Sequence, residues 1–237
     1  MSRHAVRTAS GRPTARKRGT KSVAVGPDAK TAAAKVVRRL KADYPDATCA
    51  LEHQTAFQLL ISTILSAQCT DERVNMVTED LFRRWPTAAD IARVPIDKLE
   101  LAIKSTGFFR NKAKNIKACA QELMDRHDGE VPRDMEQLVA LPGVGRKTAN
   151  VVLGTVYGLA SGVVVDTHVT RLSRRLGLTQ HTHAVKIEQD LMRLLPQREW
   201  VDFSHRMIHH GRQICGARKP LCEQCSMEKF CPKIGVK

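Results

Sequence analysis

Leu141-Pro142-Gly143-Val144-Gly145-Arg146-Lys147-Thr148-Ala149 lies between two apolar segments of helical period, and its reading decides the fold. Pro142 stops the helix before it, because proline offers no amide and restricts the residue ahead of it. Gly143 and Gly145 permit a tight turn, and a second helix starts at once. The amides of such a turn point outward beside a helix N-terminus, where the dipole and the unpaired N–H groups make an anion site. On physics alone this is a helix hairpin with a place for an anion.

Working outward, helix signals follow one another at short intervals. Pro27-Asp28 opens a segment with Val36, Val37 and Leu40 on one side, and Tyr44-Pro45 ends it. Thr55 caps the apolar run from Phe57 to Leu65. Asp71 is read as the cap of the next helix, where Val74, Val77, Leu81 and Phe82 recur until Trp85-Pro86. Helical patterns then run over Thr87 to Arg93, Ile96 to Lys104 and Asn111 to His127. They continue over Asp134 to Leu141, Arg146 to Leu159, Thr167 to Leu176, Ala184 to Leu195 and Glu199 to Ile214. Only Gly162 to Val165 has the look of a strand, too short and isolated to build a sheet. The expectation is an all-α protein.

The chain has 237 residues, with 39 Lys and Arg against 24 Asp and Glu, for a formal charge of +15. Such an excess points to a polyanion as partner. Seven of the cations (Arg3, Arg7, Arg12, Arg16, Lys17, Arg18, Lys21) precede the first acid, so residues 1–27 are expected to form a disordered basic tail. The remainder keeps +8 and is basic in its own right. The sequence holds no apolar stretch long enough to span a membrane and no secretory leader pattern. The expectation is therefore a reducing cytoplasm, bacterial and nucleoid-associated, in which the seven cysteines stay reduced.

Four of those cysteines, Cys215, Cys222, Cys225 and Cys231, fall in a C-x6-C-x2-C-x5-C run. Thiolates gathered in one compact polar loop make a metal site. Structural zinc sites usually present two close pairs, whereas this run has one close pair and two singletons, which suits a loop wrapped around an iron-sulfur cubane. Arg218 and Lys219, between the first two ligands, would then be presented outward in a rigid loop suited to phosphates. Cys49, Cys69 and Cys119 read as small buried residues.

Lys147 stands in the first turn of the hairpin's second helix. Its plainest reading is a phosphate contact, but the positive end of the helix works against the ammonium form there, which suits an amine that must act as a nucleophile. Asp166, in Val163-Val164-Val165-Asp166-Thr167-His168, reads as an N-cap whose carboxylate can also orient the lysine and face positive charge developing on a sugar.

The hairpin string resembles the helix-hairpin-helix motif that holds a DNA backbone through amides, without reading bases. Hairpin, lysine, aspartate and cysteine run, in that order from about Asp28 to the C-terminus, resemble the endonuclease III family of base-excision glycosylases. The resemblance implies two all-α domains with a DNA cleft between them. A six-helix barrel would span residues 49–159, and a [4Fe-4S] domain would combine 28–48 with 160–237. It implies a monomer that flips a damaged nucleotide out of duplex DNA and removes oxidised or ring-saturated pyrimidines. Lys147 would attack the sugar C1′ and form a Schiff base leading to β-elimination, assisted by Asp166. Gly143, Gly145 and Arg146 would meet the DNA backbone, and His168 would line the cleft. Gln68 resembles the residue that fills the gap left by the flipped nucleotide, and Phe108 stands where the family more often has an intercalating Leu. Without the resemblance, Gln68 reads as a helix-end polar residue and Phe108 as a core aromatic.

Two alternatives stand beside this reading, one within the family and one of another class. A monofunctional adenine mismatch glycosylase shares hairpin and cluster but usually lacks a lysine at this position and carries a further C-terminal domain, whereas here Lys147 is present and six residues follow Cys231. A non-catalytic iron-sulfur DNA-binding module would have no need of Lys147 and Asp166 together.

Overall fold

The computed structural model of the chain describes residues 27–236; apart from Pro27, the basic tail expected at 1–27 lies outside them. Among the described residues the protein is built of helices with no strand, as the sequence pattern leads one to expect. Eleven α-helices occur, α1 (Pro27–Asp43), α2 (Ala56–Leu65), α3 (Asp71–Arg84), α4 (Ala88–Arg93), α5 (Ile96–Ala102), α6 (Phe109–His127), α7 (Met135–Ala140), α8 (Arg146–Tyr157), α9 (Thr167–Arg175), α10 (Ala184–Leu194) and α11 (Trp200–Gln213).

Two hydrophobic clusters form. The first draws on buried residues from Leu51 to Leu153 and fills the space among α2 to α8. Its centre is α2, whose residues from Leu59 to Leu65 are all buried. Thr55 starts this helix by accepting the Gln58 amide, and Thr87 starts α4 in a reciprocal capping box with Asp90. The expected cap of α3 is corrected: Thr70, not Asp71, accepts the Arg73 amide. Asp71 sits one position inside, where its carboxylate is released to pair with Arg212 on α11.

α6 is the long brace of this first cluster, with α4 and α5 packed along it. Two of its lysines close other helices. Buried Lys112 donates to the carbonyls of Leu65 (2.8 Å) and Thr106 (2.7 Å), and Lys117 donates to those of Ala92 and Val94 (both 2.6 Å). Each ammonium thereby satisfies orphan C-terminal carbonyls and sits at the negative end of a helix dipole. Burial pulls the Lys112 pKa below the ordinary lysine range.

The second cluster joins Ala33, Val36 and Leu40 of α1 to α9, α10, α11 and Met227. Gly162 to Val165 is no strand. It is a buried extended segment whose Val164 amide donates to the Ser204 hydroxyl, so a side chain stands in for a ladder partner. One helix serves both clusters. Ala149, Val152 and Leu153 of α8 lie in the first, while Gly154 meets Val201 of α11 so closely that a Cβ would sit 2.8 Å from a valine methyl.

Lys112→Met keeps the bulk and removes the donor, leaving two buried carbonyls without a partner. The expected cost is roughly 2–3 kcal/mol of unfolding free energy. Urea denaturation measures it, with full helical circular dichroism retained before the transition.

Candidate active site

The hairpin lies where its sequence places it, between α7 and α8. Asp134 caps α7 by accepting the Gln137 amide, and Leu141 turns extended. Gly143 has φ of +77°, and a Cβ there would lie 2.8 Å from the Cβ of Asn115 on α6. Conformation and close approach both demand glycine at that position. Val144 buries itself beneath the turn, and Gly145 caps α8 with no side chain to accept hydrogen bonds. The amides of the first turn of α8 are thus left for a ligand.

Arg146 leaves the hairpin sideways. Its Nε donates to both oxygens of Glu188 on α10 (3.2 and 3.0 Å), while Asn150 Nδ2 donates to Glu188 Oε1 at 2.8 Å and accepts from Ser161 Oγ at 2.9 Å. The Glu188 side chain is only 7% exposed, so this carboxylate is held by its partners rather than by water. Gly162 packs against the same pair, and a Cβ there would collide with Glu188 Oε1 and Asn150 Nδ2. This network fixes the rotation of α8 about its axis, and with it the direction of Lys147.

Asp166 comes from the start of α9. One of its oxygens accepts the Val169 amide at 2.7 Å as the N-cap of α9. Lys147 and Asp166 line one cleft together with Gln68, Asp71, His168 and Arg212. A deeper pocket behind them adds His205, His209 and Cys49. Among the described residues no hydrogen bond or ion pair engages the Lys147 amine, and no ion pair joins it to Asp166. An amine and a fixed carboxylate lining one cleft can serve nucleophilic attack and the stabilisation of developing positive charge. His168 packs on Gly211, beside Arg171 NH2 at 3.2 Å, and burial pulls its pKa down, as it does that of His205. Both imidazoles therefore favour the neutral form.

Gln68 and Phe108 both have left-handed backbones. Gln68 has φ of +55° and is exposed on the cleft lip after α2. Phe108 has φ of +47° and is 65% exposed, lifted into solvent by Gly107 at φ of +70°. It is no core aromatic. Strained backbone that presents a side chain to solvent is a recurrent mark of a functional position.

The four C-terminal cysteines line a common cavity with Leu172, Leu176 and Met227. Three of them face N–H donors: Arg175 NH1 lies 3.3 Å from Cys215 Sγ, the Lys233 amide 3.4 Å from Cys231 Sγ, and His210 Nε2 3.6 Å from Cys225 Sγ. Donors aimed at sulfur fit thiolates. Burial, and after it the neighbouring cysteines, push the Cys225 and Cys231 thiols up, so bound positive charge is needed to keep these two ionised. Among the described residues no three His, Cys, Asp or Glu are gathered closely enough to hold a metal ion; the four thiols that share the cavity are soft donors of the kind that hold zinc or iron-sulfur clusters. Arg175 also ties the loop down through the carbonyls of Gly216 and Ala217. Arg218 and Lys219 are exposed on that loop and do not line the cleft beside Lys147. Cys119 is buried as expected, but Cys49 and Cys69 are only partly so: one lines the inner pocket and the other the cleft.

Sequence reading missed Glu188, the Asp71–Arg212 pair and His205. Glu188 sits in a helix whose other face is apolar, and nothing in its spacing sets it apart. Only a glycine at 162 beside a buried polar pair could have hinted at the close approach.

The HhH-GPD superfamily base excision DNA repair model matches residues 61–197. The chain is 55% identical over 203 residues to an endonuclease III of Synechocystis sp., covering 86% of this chain and 93% of that one. It is 39% identical over 196 residues to an endonuclease III of Escherichia coli K12, covering 83% and 92%. A solved endonuclease III trapped as a covalent intermediate with DNA superposes with a TM-score of 0.83 at 43% identity, covering 86% of this chain and 96% of that one. A thermostable thymine-DNA glycosylase shares the fold, with a TM-score of 0.75 at 23% identity.

Gly162→Ala drives a methyl group between Glu188 and Asn150. The expected loss is roughly 1–3 kcal/mol, read as a lowered Tm, with activity at the cleft falling further than the residual folded fraction explains because Lys147 is turned away.

Proposed function

The chain belongs to the HhH-GPD superfamily of base excision DNA repair proteins and, within it, to the endonuclease III family, and from that premise we propose how its own residues carry out base removal and strand cleavage. It is a DNA glycosylase and AP lyase. Its substrate class is oxidised or ring-saturated pyrimidine in duplex DNA. The observation that carries the reading is the pair Lys147 and Asp166, which line one cleft, with the lysine amine engaged by no hydrogen bond or ion pair among the described residues.

The DNA backbone settles against the free amides from Gly145 into the first turn of α8, with Gly143 permitting the turn and Arg146 bracing it from the side. Gln68 enters the stack where the nucleotide leaves, and Phe108 wedges the neighbouring step; their strained, solvent-facing backbones suit that work, which costs a few kcal/mol least at damaged, poorly stacked bases. His168 borders the cleft. The Lys147 amine attacks C1′, the glycosidic bond breaks, and the base departs with the bonding pair and gains a proton. Asp166 faces the positive charge on the sugar ring and receives the proton shed by Lys147. The amine linkage rearranges to an imine as the ring opens; loss of the C2′ proton then expels the 3′ phosphate, and water frees the lysine.

Cys215, Cys222, Cys225 and Cys231 hold a [4Fe-4S] cluster in this reading, supported by their shared cavity and the N–H donors at three sulfurs. When bound, the cluster supplies a rigid cross-link that folds the loop and fixes the exposed cations Arg218 and Lys219 toward phosphates. The separate hydrophobic clusters support a division into a barrel at 49–159 and a cluster domain of 28–48 plus 160–237. The protein acts as a monomer on bacterial DNA in the cytoplasm. No helix among the described residues is long and apolar enough to cross a membrane.

Wild-type protein is expected to release thymine glycol from a duplex and nick the strand. Lys147→Ala is expected to abolish nicking, and Asp166→Asn to slow it by about 10²–10⁴-fold, both without loss of folding or iron. Undiminished nicking by Lys147→Ala contradicts the assignment.

A further inference from the structure

His210 is the most enclosed imidazole among the described residues at 2% exposure, and the reaction at the cleft makes no use of it. It lies in α11, five residues before Cys215. One ring nitrogen, Nε2, is 3.6 Å from Cys225 Sγ, and the other, Nδ1, is 3.1 Å from the hydroxyl of Tyr44, the residue that follows α1. The Tyr44 ring meets the imidazole edge-on at 5.8 Å between centroids, and Arg206 Nε donates to the Tyr44 carbonyl at 3.3 Å. Both sides of the imidazole are thereby held. Tyr44, Asp43 (which accepts from Ser226 Oγ) and Arg206 clamp the end of α1 onto the cysteine loop and α11.

A cysteine thiolate in a cluster accepts hydrogen bonds and donates none. Nε2 must therefore carry a proton toward the sulfur, whether the ring is neutral or charged. Tyr44 fixes the ring plane from Nδ1. We propose that His210, oriented by Tyr44, is a positioning residue for the cluster: its Nε2–H donates to Cys225 Sγ, withdraws electron density from that thiolate, raises the cluster's reduction potential and slows loss of the iron it binds. Hydrogen bonds to cluster sulfurs act in this direction, and outer partners of metal ligands set both affinity and potential. Cys215 and Cys231 receive donors from Arg175 and a backbone amide; Cys225 takes the Met227 backbone amide and, in addition, faces a side chain that is itself held by the N-terminal helix. Docking of α1 and the electronic state of the cluster are thus coupled through one imidazole.

This inference rests on the cluster reading of the four cysteines, and the test separates the two. Full-length protein is purified as wild type, Tyr44→Phe, His210→Gln and His210→Leu. Iron content, visible absorbance, reduction potential by voltammetry and the rate of bleaching by a chelator are then compared. The potential is expected to move negative in His210→Leu, with several-fold faster bleaching. His210→Gln, which keeps an N–H donor, recovers most of both. Tyr44→Phe, which keeps the ring and its packing, shifts both in the same direction by less. Nitrogen-15 histidine labelling of the oxidised, paramagnetic cluster shows a hyperfine coupling in wild type that His210→Leu loses. Should His210→Leu not fold, Tyr44→Phe and the wild-type coupling still decide. A brown protein with no histidine coupling, or with equal potentials across the folded variants, overturns the proposal and leaves His210 as a packing residue. A colourless, iron-free wild type overturns the cluster reading itself, and this inference with it.

Discussion

The carboxylate of Glu188 is the point on which the site depends. It is buried, it carries charge, and it is tolerable only because Arg146 and Asn150 of one helix converge on it. That requirement makes α8 a member of both halves of the molecule. Its apolar face fills the first cluster with Ala149, Val152 and Leu153, and its polar face is bound to α10, with Gly154 letting α11 approach. A helix held on two sides cannot rotate, and Lys147 sits between the two anchors. The strictness of Gly162 follows from the same constraint, since the chain must pass against the polar pair on its way to Asp166.

From there the cleft follows with little further invention. Asp166 is held by the work of capping α9, which fixes one oxygen of a carboxylate that lines the same cleft as the lysine. Asp71, spared from capping by Thr70, reaches over to Arg212 and joins the first cluster's rim to α11 across the cleft floor. The far end of the second cluster is closed differently. Buried Arg175 spends its guanidinium on the carbonyls of Gly216 and Ala217 and the sulfur of Cys215, so the cysteine loop is held by the helix that begins at Asp166. Chemistry at one end of α9 and cysteines at the other share a single rigid rod of nine residues.

Much of this was readable in the sequence because it rests on local rules. Thr55 and Asp166 cap helices where the pattern puts them, and the prolines and glycines punctuate the rest. The hairpin, Lys147 and Asp166 lie in strings whose local meaning is fixed by glycine and by helix ends. What escaped depends on contacts between distant segments. Thr70 and Asp71 are both good caps, and only the reach of Arg212, 141 residues on, releases the aspartate. Gly162 to Val165 reads as a strand because three valines are buried, yet its amide partner is a serine on α11. Lys112 and Lys117 look like solvated cations on an amphipathic helix, and only the arrival of α2 and α4 turns them into carbonyl caps. Cys69 was read as buried, but the turn that lifts Gln68 carries it to the cleft.

Peptide mapping of the borohydride-trapped adduct with a thymine-glycol duplex tests the central claim most directly, because it identifies the amine that bonds to the sugar. The reduced adduct, digested and sequenced by mass spectrometry, is predicted to carry the sugar remnant on Lys147 alone. A remnant on the amino terminus or on any other lysine, with Lys147 unmodified, would contradict the account.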